Sequence, residues 1–216
     1  MRKRRPRMRS GGAGRERRAG GILGGILEIL GNFGVNPAGF GVPMAELHLI
    51  GQIESGCGFS ERRLFCKWGL HAGAGWTLLA GAGAGQTHLD EPQAGEAAQW
   101  GHPLDLHLGT RGLQGWPRLL LEVWHVDTWG RRGLAGYGVC AVPSAPGCHR
   151  VTVVTWRPRG TRRQRLLGPG GPELRDPLGT ATAATERFRL RTESAGTVRL
   201  RLGVVARHMA RFGVAL

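Results

Sequence analysis

After Met44 apolar and polar residues alternate nearly one for one. Leu47 and Leu49 alternate with Glu46 and His48 in a run ending near Ile53. In 64–70, Leu64, Cys66, Trp68 and Leu70 share one side and Lys67 takes the other. A period of two marks a half-buried strand, because successive side chains leave a pleated backbone on opposite faces. The same rhythm predicts strands over 76–79, around Leu104, Leu106 and Leu108 (against Asp105 and His107), and over 118–126, 134–142 and 150–156. Within 118–126, Leu119, Leu121 and Val123 face one way, and Glu122 faces the other with Leu120 and Trp124. Further on, Phe188 and Leu190 alternate with Arg187, Arg189 and Arg191, and Val198-Arg199-Leu200-Arg201-Leu202 is apolar inward and arginine outward. The Gly/Ala-rich and polar stretch up to Gly95 reads as loop, and Pro143 to Gly147 as a turn. Seven to nine short strands without a sustained helical period predict an all-β antiparallel sandwich, one domain over 44–216.

Residues 1–43 break this pattern. They open on MRKRRPRMRSGGAGRERRAG and continue into an apolar stretch, 22–30, interrupted by Glu28. That stretch is shorter than the about 20 apolar residues a bilayer span needs. The segment is read as a basic, Gly-rich extension, disordered or a mis-assigned start, outside the fold. It also changes the meaning of the charge. Of the net +15, residues 1–43 carry +7 and the other 173 residues +8. Lys3 and Lys67 are the only lysines, so the charge is almost all arginine, which with the Ala and Gly excess matches a GC-rich coding bias. Basicity predicts solubility and attraction to polyanions. Single-strand binding wants aromatics interleaved on a basic face, whereas the tryptophans fall among apolar runs, so no specific nucleic acid is expected.

Candidate chemistry is sparse. The chain has no P-loop, G-x-S-x-G, H-E-x-x-H or dinucleotide fingerprint. Cys57, Cys66, Cys140 and Cys148 form no C-x-x-C pair, which argues against zinc and for free thiols in a cytosolic protein. His102 and His107 fall on opposite faces of their strand, and no loop gathers three carboxylates for a hard cation. No catalytic residue, metal or cofactor is expected. Seven tryptophans against one tyrosine is an unusual balance. Trp68 and Trp124 fit core alternation, while Trp116 and Trp156 lie beside prolines, as packed corners or interface anchors. Trp116, Pro117, Tyr137, Trp156 and Arg157 are the candidate partner-binding residues. Arg187, Arg189, Arg199 and Arg201 would form a basic face if their two strands paired. Such a face offers anionic lipid about 1 kcal/mol per basic group.

The stretches ESGCGFSERRLFCKWGLHAGAGWTLLAG, GQTHLDEPQ, WGHPLDLHL, GLQGWPRLLLEVWHVDTWGRRGLAGYGVCAVPSAPGCH, TWRPRG and RFRLRTESAGTVRLRLGVVARHMARFGV resemble the B9 domain family of the ciliary transition zone. The similarity covers essentially all of 44–216 and none of 1–43. It implies a C2-like antiparallel β-sandwich and a non-catalytic scaffold role in a tectonic-like complex. That complex supports cilium biogenesis and the barrier to membrane-protein diffusion. The implied partners are other B9-domain proteins and membrane-associated transition-zone proteins. The implied location is cytoplasm, cytoskeleton, basal body and transition zone. C2-like folds often bind phospholipid through calcium held by clustered aspartates. This chain lacks the cluster, so any contact with an anionic membrane surface is expected to be calcium-independent.

Overall fold

The computed structural model describes residues 44–160, 173–174 and 190–212, except the Arg211 side chain. The alternating runs form β1 (Ala45–Cys57), β2 (Leu64–His71), β3 (Trp76–Gly81), β4 (Ala84–Gln86), β5 (Ala98–Thr110), β6 (Arg118–Val126), β7 (Arg132–Ala141), β8 (Gly147–Pro158) and β9 (Thr192–Arg207). A short 3-10 turn, Met209–Phe212, follows β9, and no α-helix occurs among the described residues. The strands hydrogen-bond in the order β3-β5-β1-β9-β8-β7-β6-β2-β4, all antiparallel. Between β7 and β8 the ladder shrinks to one residue pair, Tyr137 opposite Trp156. There the sheet curls over, and β3-β5-β1-β9-β8 covers β7-β6-β2-β4.

The inward residues of both halves make one core. Leu47 and Leu49 of β1, Leu106 and Leu108 of β5, and Leu200 and Leu202 of β9 pack in the same buried cluster as Trp68 and Leu70 of β2 and Leu119 and Leu121 of β6. Each fully buried Leu contributes on the order of 1.5–3 kcal/mol against its exposed state. Two cross-links hold the halves together. Trp100 Nε1 of β5 donates to the Leu64 carbonyl at 3.2 Å, and Trp76 Nε1 of β3 donates to the Gln114 carbonyl at 3.2 Å.

Two sequence expectations change here. The 81–95 stretch contains a strand, β4, pairing Ala84 to Gln86 with Gly69 to Lys67. The outward face of β6 is covered too: Leu120, Leu134, Tyr137 and Trp156 form a second buried cluster, with Trp124, Val139 and Leu174 against it. Finally, β9 has β1 on one edge and β8 on the other. Arg199 and Arg201 therefore have β1 and β8 as their strand neighbours. Arg187 and Arg189 themselves, like residues 1–43, lie outside the described residues.

The second cluster encloses a charge. Glu122 sits between Lys67 of β2 and Tyr137 of β7, and its Oε2 accepts from Trp124 Nε1 at 3.1 Å. Burial raises its pKa above the ordinary 4.5, against the lowering effect of the Trp124 bond and Lys67. The folded state therefore holds a proton that the unfolded chain has released, and stability falls as pH rises through that window. Glu122→Gln is expected to melt at a higher temperature than the parent at pH 7.5. Its lead should shrink as the medium is acidified past the unfolded value; a pH series of thermal melts checks both points.

Candidate functional site

The five candidate partner-binding residues do not converge. Trp116 is half-buried at the corner before β6, edge-on to Trp76 with ring centroids 5.3 Å apart, and its Nε1 donates to the Val142 carbonyl at 2.7 Å. Pro117 is buried beside it, its carbonyl accepting from the Val142 amide at 3.1 Å. Tyr137 and Trp156 lie away from that corner, in the seam, with exposures of 1% and 7%. Their rings pack 5.7 Å apart, and the Tyr137 hydroxyl accepts from the Leu174 amide at 3.2 Å. Burial pushes the Tyr137 phenol up to about 12, partly offset by that amide. Trp116, Pro117, Tyr137 and Trp156 thus serve corner and seam packing rather than an open surface, because each is paired inside the fold.

Arg157, next to the seam, reaches two carboxylates: Nε to Glu193 at 2.7 Å and Nη1 to Glu61 at 3.0 Å. Burial works against its charge, but the hydrogen bonds to these two carboxylates outweigh that and hold its pKa above the ordinary value. The guanidinium clamps the loop before β2 to β8 and β9.

The accessible face is the outer side of β5-β1-β9-β8. Arg199 lies between Ser55 of β1 and Thr152 of β8, and Arg201 between Gln52 and Arg150. Arg199 and Arg201 border a shallow basin with Gln52, Glu54, Gln99 and Gly101. Arg201 Nη2 stands 2.7 Å from Glu54 Oε1, an ion-pair contact without hydrogen-bond alignment. One row further along, Gly203 lies between Ile50 and Cys148, with Val205 two residues on. Ile50 and Val205 are 54% and 50% exposed, so a small apolar platform surrounds the missing side chain at Gly203.

Sequence reasoning missed Arg150 as the neighbour of Arg201, and it missed a trio at the end of the same face. His48 and His107 are directly opposite on β1 and β5, their rings stacked at 4.0 Å and 14°. Glu46 Oε2 lies 3.7 Å from His48 Nε2 and 3.6 Å from His107 Nε2. Alternation puts Glu46 and His48 on one polar face and His107 on another; only the pairing of β1 with β5 brings them together. Trp129, 82% exposed, caps the β6–β7 turn, which Asp127 Oδ1 ties by accepting from the Trp129 and Arg131 amides at 2.9 and 2.8 Å.

Comparison with known proteins matches residues 47–205 to the family described as B9-C2, ciliary basal body-associated, B9 protein. Among curated relatives, B9 domain-containing protein 2 of Rattus norvegicus is 53% identical over 174 residues, 79% of this chain and 99% of the rat protein. B9 domain-containing protein 1 of Mus musculus is 29% identical over 174 residues, 77% of this chain and 84% of the mouse protein. Among solved structures, a C2 domain of plant Extended Synaptotagmin 1 aligns at 12% identity with a TM-score of 0.38, over 76% of this chain and 96% of that one. The family match takes in β2 to β8 in full and nearly all of β1 and β9. The chain belongs to the B9-C2 family of ciliary basal body-associated B9 proteins.

Proposed function

We propose that this protein is a non-catalytic scaffold subunit of a ciliary transition-zone assembly, where it supports cilium formation and the barrier to membrane-protein diffusion. Family membership supports the ciliary setting. The observation that carries the docking role is the platform at Gly203, where exposed Ile50 and Val205 lie next to Arg150 and Arg201. An apolar centre with a charged rim is the usual anatomy of a protein interface. Asp105 lies opposite Ile50 and Arg201 is matched by Glu54, so the rim carries both signs and calls for a partner edge of mixed charge. The occupant is a second B9-domain protein; the homology to B9 domain-containing protein 1 supports this reading, because the family has more than one member.

Ile50→Lys tests this, because it removes the apolar centre while placing a cation opposite Asp105 on β5, a pair the fold tolerates. Affinity precipitation from ciliated cells should recover at least about tenfold less B9-domain partner with the variant, a loss of about 1.4 kcal/mol, with an unchanged melting temperature. Equal recovery would remove this face as the docking site. The alternative, calcium-independent binding of anionic phospholipid through the strand arginines, draws less from the face. Arg201 is matched by Glu54, and Arg187 and Arg189 lie outside the described residues. Sedimentation with phosphatidylserine vesicles that exceeds sedimentation with neutral vesicles, and that Ile50→Lys leaves intact, would favour the lipid reading.

A further inference from the structure

We propose that Glu46, His48 and His107 form a binding site for a divalent metal ion of the zinc class. The trio lies on the outer face of β1 and β5, beyond the Gly203 platform, and it stands independently of the scaffold reading. Two imidazoles and a carboxylate are a recurrent zinc set, with a fourth position open to water. Calcium and magnesium prefer oxygen ligands, so this mixture of nitrogen and oxygen selects a transition metal.

The spacing of the ligand atoms is close to what such an ion requires. Metal–ligand bonds of about 2.0–2.2 Å in a tetrahedron place neighbouring ligand atoms roughly 3.4 Å apart. Glu46 Oε2 is 3.7 and 3.6 Å from the two Nε2 atoms, and the three ligating atoms all lie within 4.8 Å of one another. The rings are stacked 14° from parallel, and each lone pair lies in its own ring plane, so both side chains must rotate well out of the stack before their Nε2 atoms meet on one ion. All three residues are half-buried on paired strands, so the backbone already holds them in place.

A second observation points the same way. His107 Nε2 is buried and has no hydrogen-bond partner. A buried nitrogen left unpaired is costly, and a metal ion on that atom would satisfy it. The same carboxylate oxygen also has a competitor, Arg207 Nη1 at 3.6 Å. That arginine is 60% exposed on β9 and can swing away when an ion arrives.

The test uses the full-length purified chain carrying Cys148→Ser, because exposed Cys148 beside His149 is a rival ligand pair. Zinc(II) titration calorimetry should show one ion per chain. Cobalt(II) should give the visible ligand-field bands of a tetrahedral nitrogen–oxygen site without thiolate charge-transfer absorption. His107→Gln should weaken uptake at least about tenfold, and Arg207→Gln should strengthen it by freeing Glu46. No uptake by the chain, a thiolate band, or uptake that survives His48→Gln with His107→Gln would overturn the site. If the histidine variants fail to fold, Arg207→Gln decides alone: tighter zinc binding upholds the proposal, and unchanged binding overturns it.

Discussion

Trp100→Ala is expected to lower the unfolding free energy by about 3–5 kcal/mol, measured by urea or guanidinium titration. Trp100 is 3% exposed and reaches across the sandwich. Its ring packs over Gly56 of the neighbouring strand, where an added Cβ would collide with it. Its Nε1 ties β5 to the first residue of β2. Alanine removes the packing and the tie together. Typical domains hold about 5–15 kcal/mol, so the variant should lie near the limit of folding at 37 °C. Trp100→Phe separates the two effects. It retains most of the apolar surface, and the Leu64 carbonyl still accepts from the Asp90 amide at 2.9 Å. Its loss should be nearer about 1–2 kcal/mol. A similar loss for both variants would mean that the hydrogen bond, rather than the ring, holds the halves together.

Gly51→Ala carries the second large effect. Gly51 lies in the middle of β1, opposite Leu104 on one side and Leu202 on the other. A Cβ there would run into the Arg201 carbonyl oxygen. That atom is backbone, and it cannot yield without loosening the β1–β9 ladder. The expected destabilisation is about 3 kcal/mol, at the upper end for overpacking. Gly112→Ala is the control, since a Cβ at that position meets nothing within 4 Å. It should be neutral or stabilising by up to about 1 kcal/mol through the unfolded chain. Parallel denaturant titrations of the two variants measure the contrast, and equal behaviour would show that β1 and β9 can part at Gly51 without cost.

Local alternation was a good guide wherever one face of a strand meets the core and the other meets water. The run at Arg118–Val126 matches β6 end to end, and Leu64–His71 extends the expected run by one residue. The signal failed elsewhere for physical reasons. At β1 it stopped near Ile53 because a register shift between Ile53 and Ser55 breaks the period, although the strand runs on to Cys57. At β5 the first half was hidden by Gln99, Gly101 and Pro103, which face outward and carry no apolar label. β4 is three residues without a large side chain. The burial of Leu120 and Trp124 depends on Trp156 and Leu174, contributed from far along the chain.

The candidate site was less legible than the fold for a related reason. Arg199 and Arg201 were read correctly as outward-facing, because that needs only their own strand. Their neighbours depend on strand order, and local sequence does not encode it. Arg150 therefore went unnoticed, and Arg187 and Arg189 lie outside the described residues. Trp116 at the corner and Trp156 at the seam were chosen for size and for proline neighbours. Those features mark a well-packed interior as readily as a docking surface.

The position of β9 has a consequence for how the protein is made. It is the last strand in chain order among the described residues, yet it sits between β1 and β8, near the centre of the sheet. While the ribosome is still adding residues before Thr192, both of those strands have an open edge, and such edges readily recruit strands from other chains. Tertiary closure must await the synthesis of β9, and its contacts with β1 join residues roughly the full domain apart, a slow kind of pairing. Newborn chains of this protein would thus spend their riskiest interval before β9 is in place, the stage at which a chaperone that shields exposed strands has most to offer.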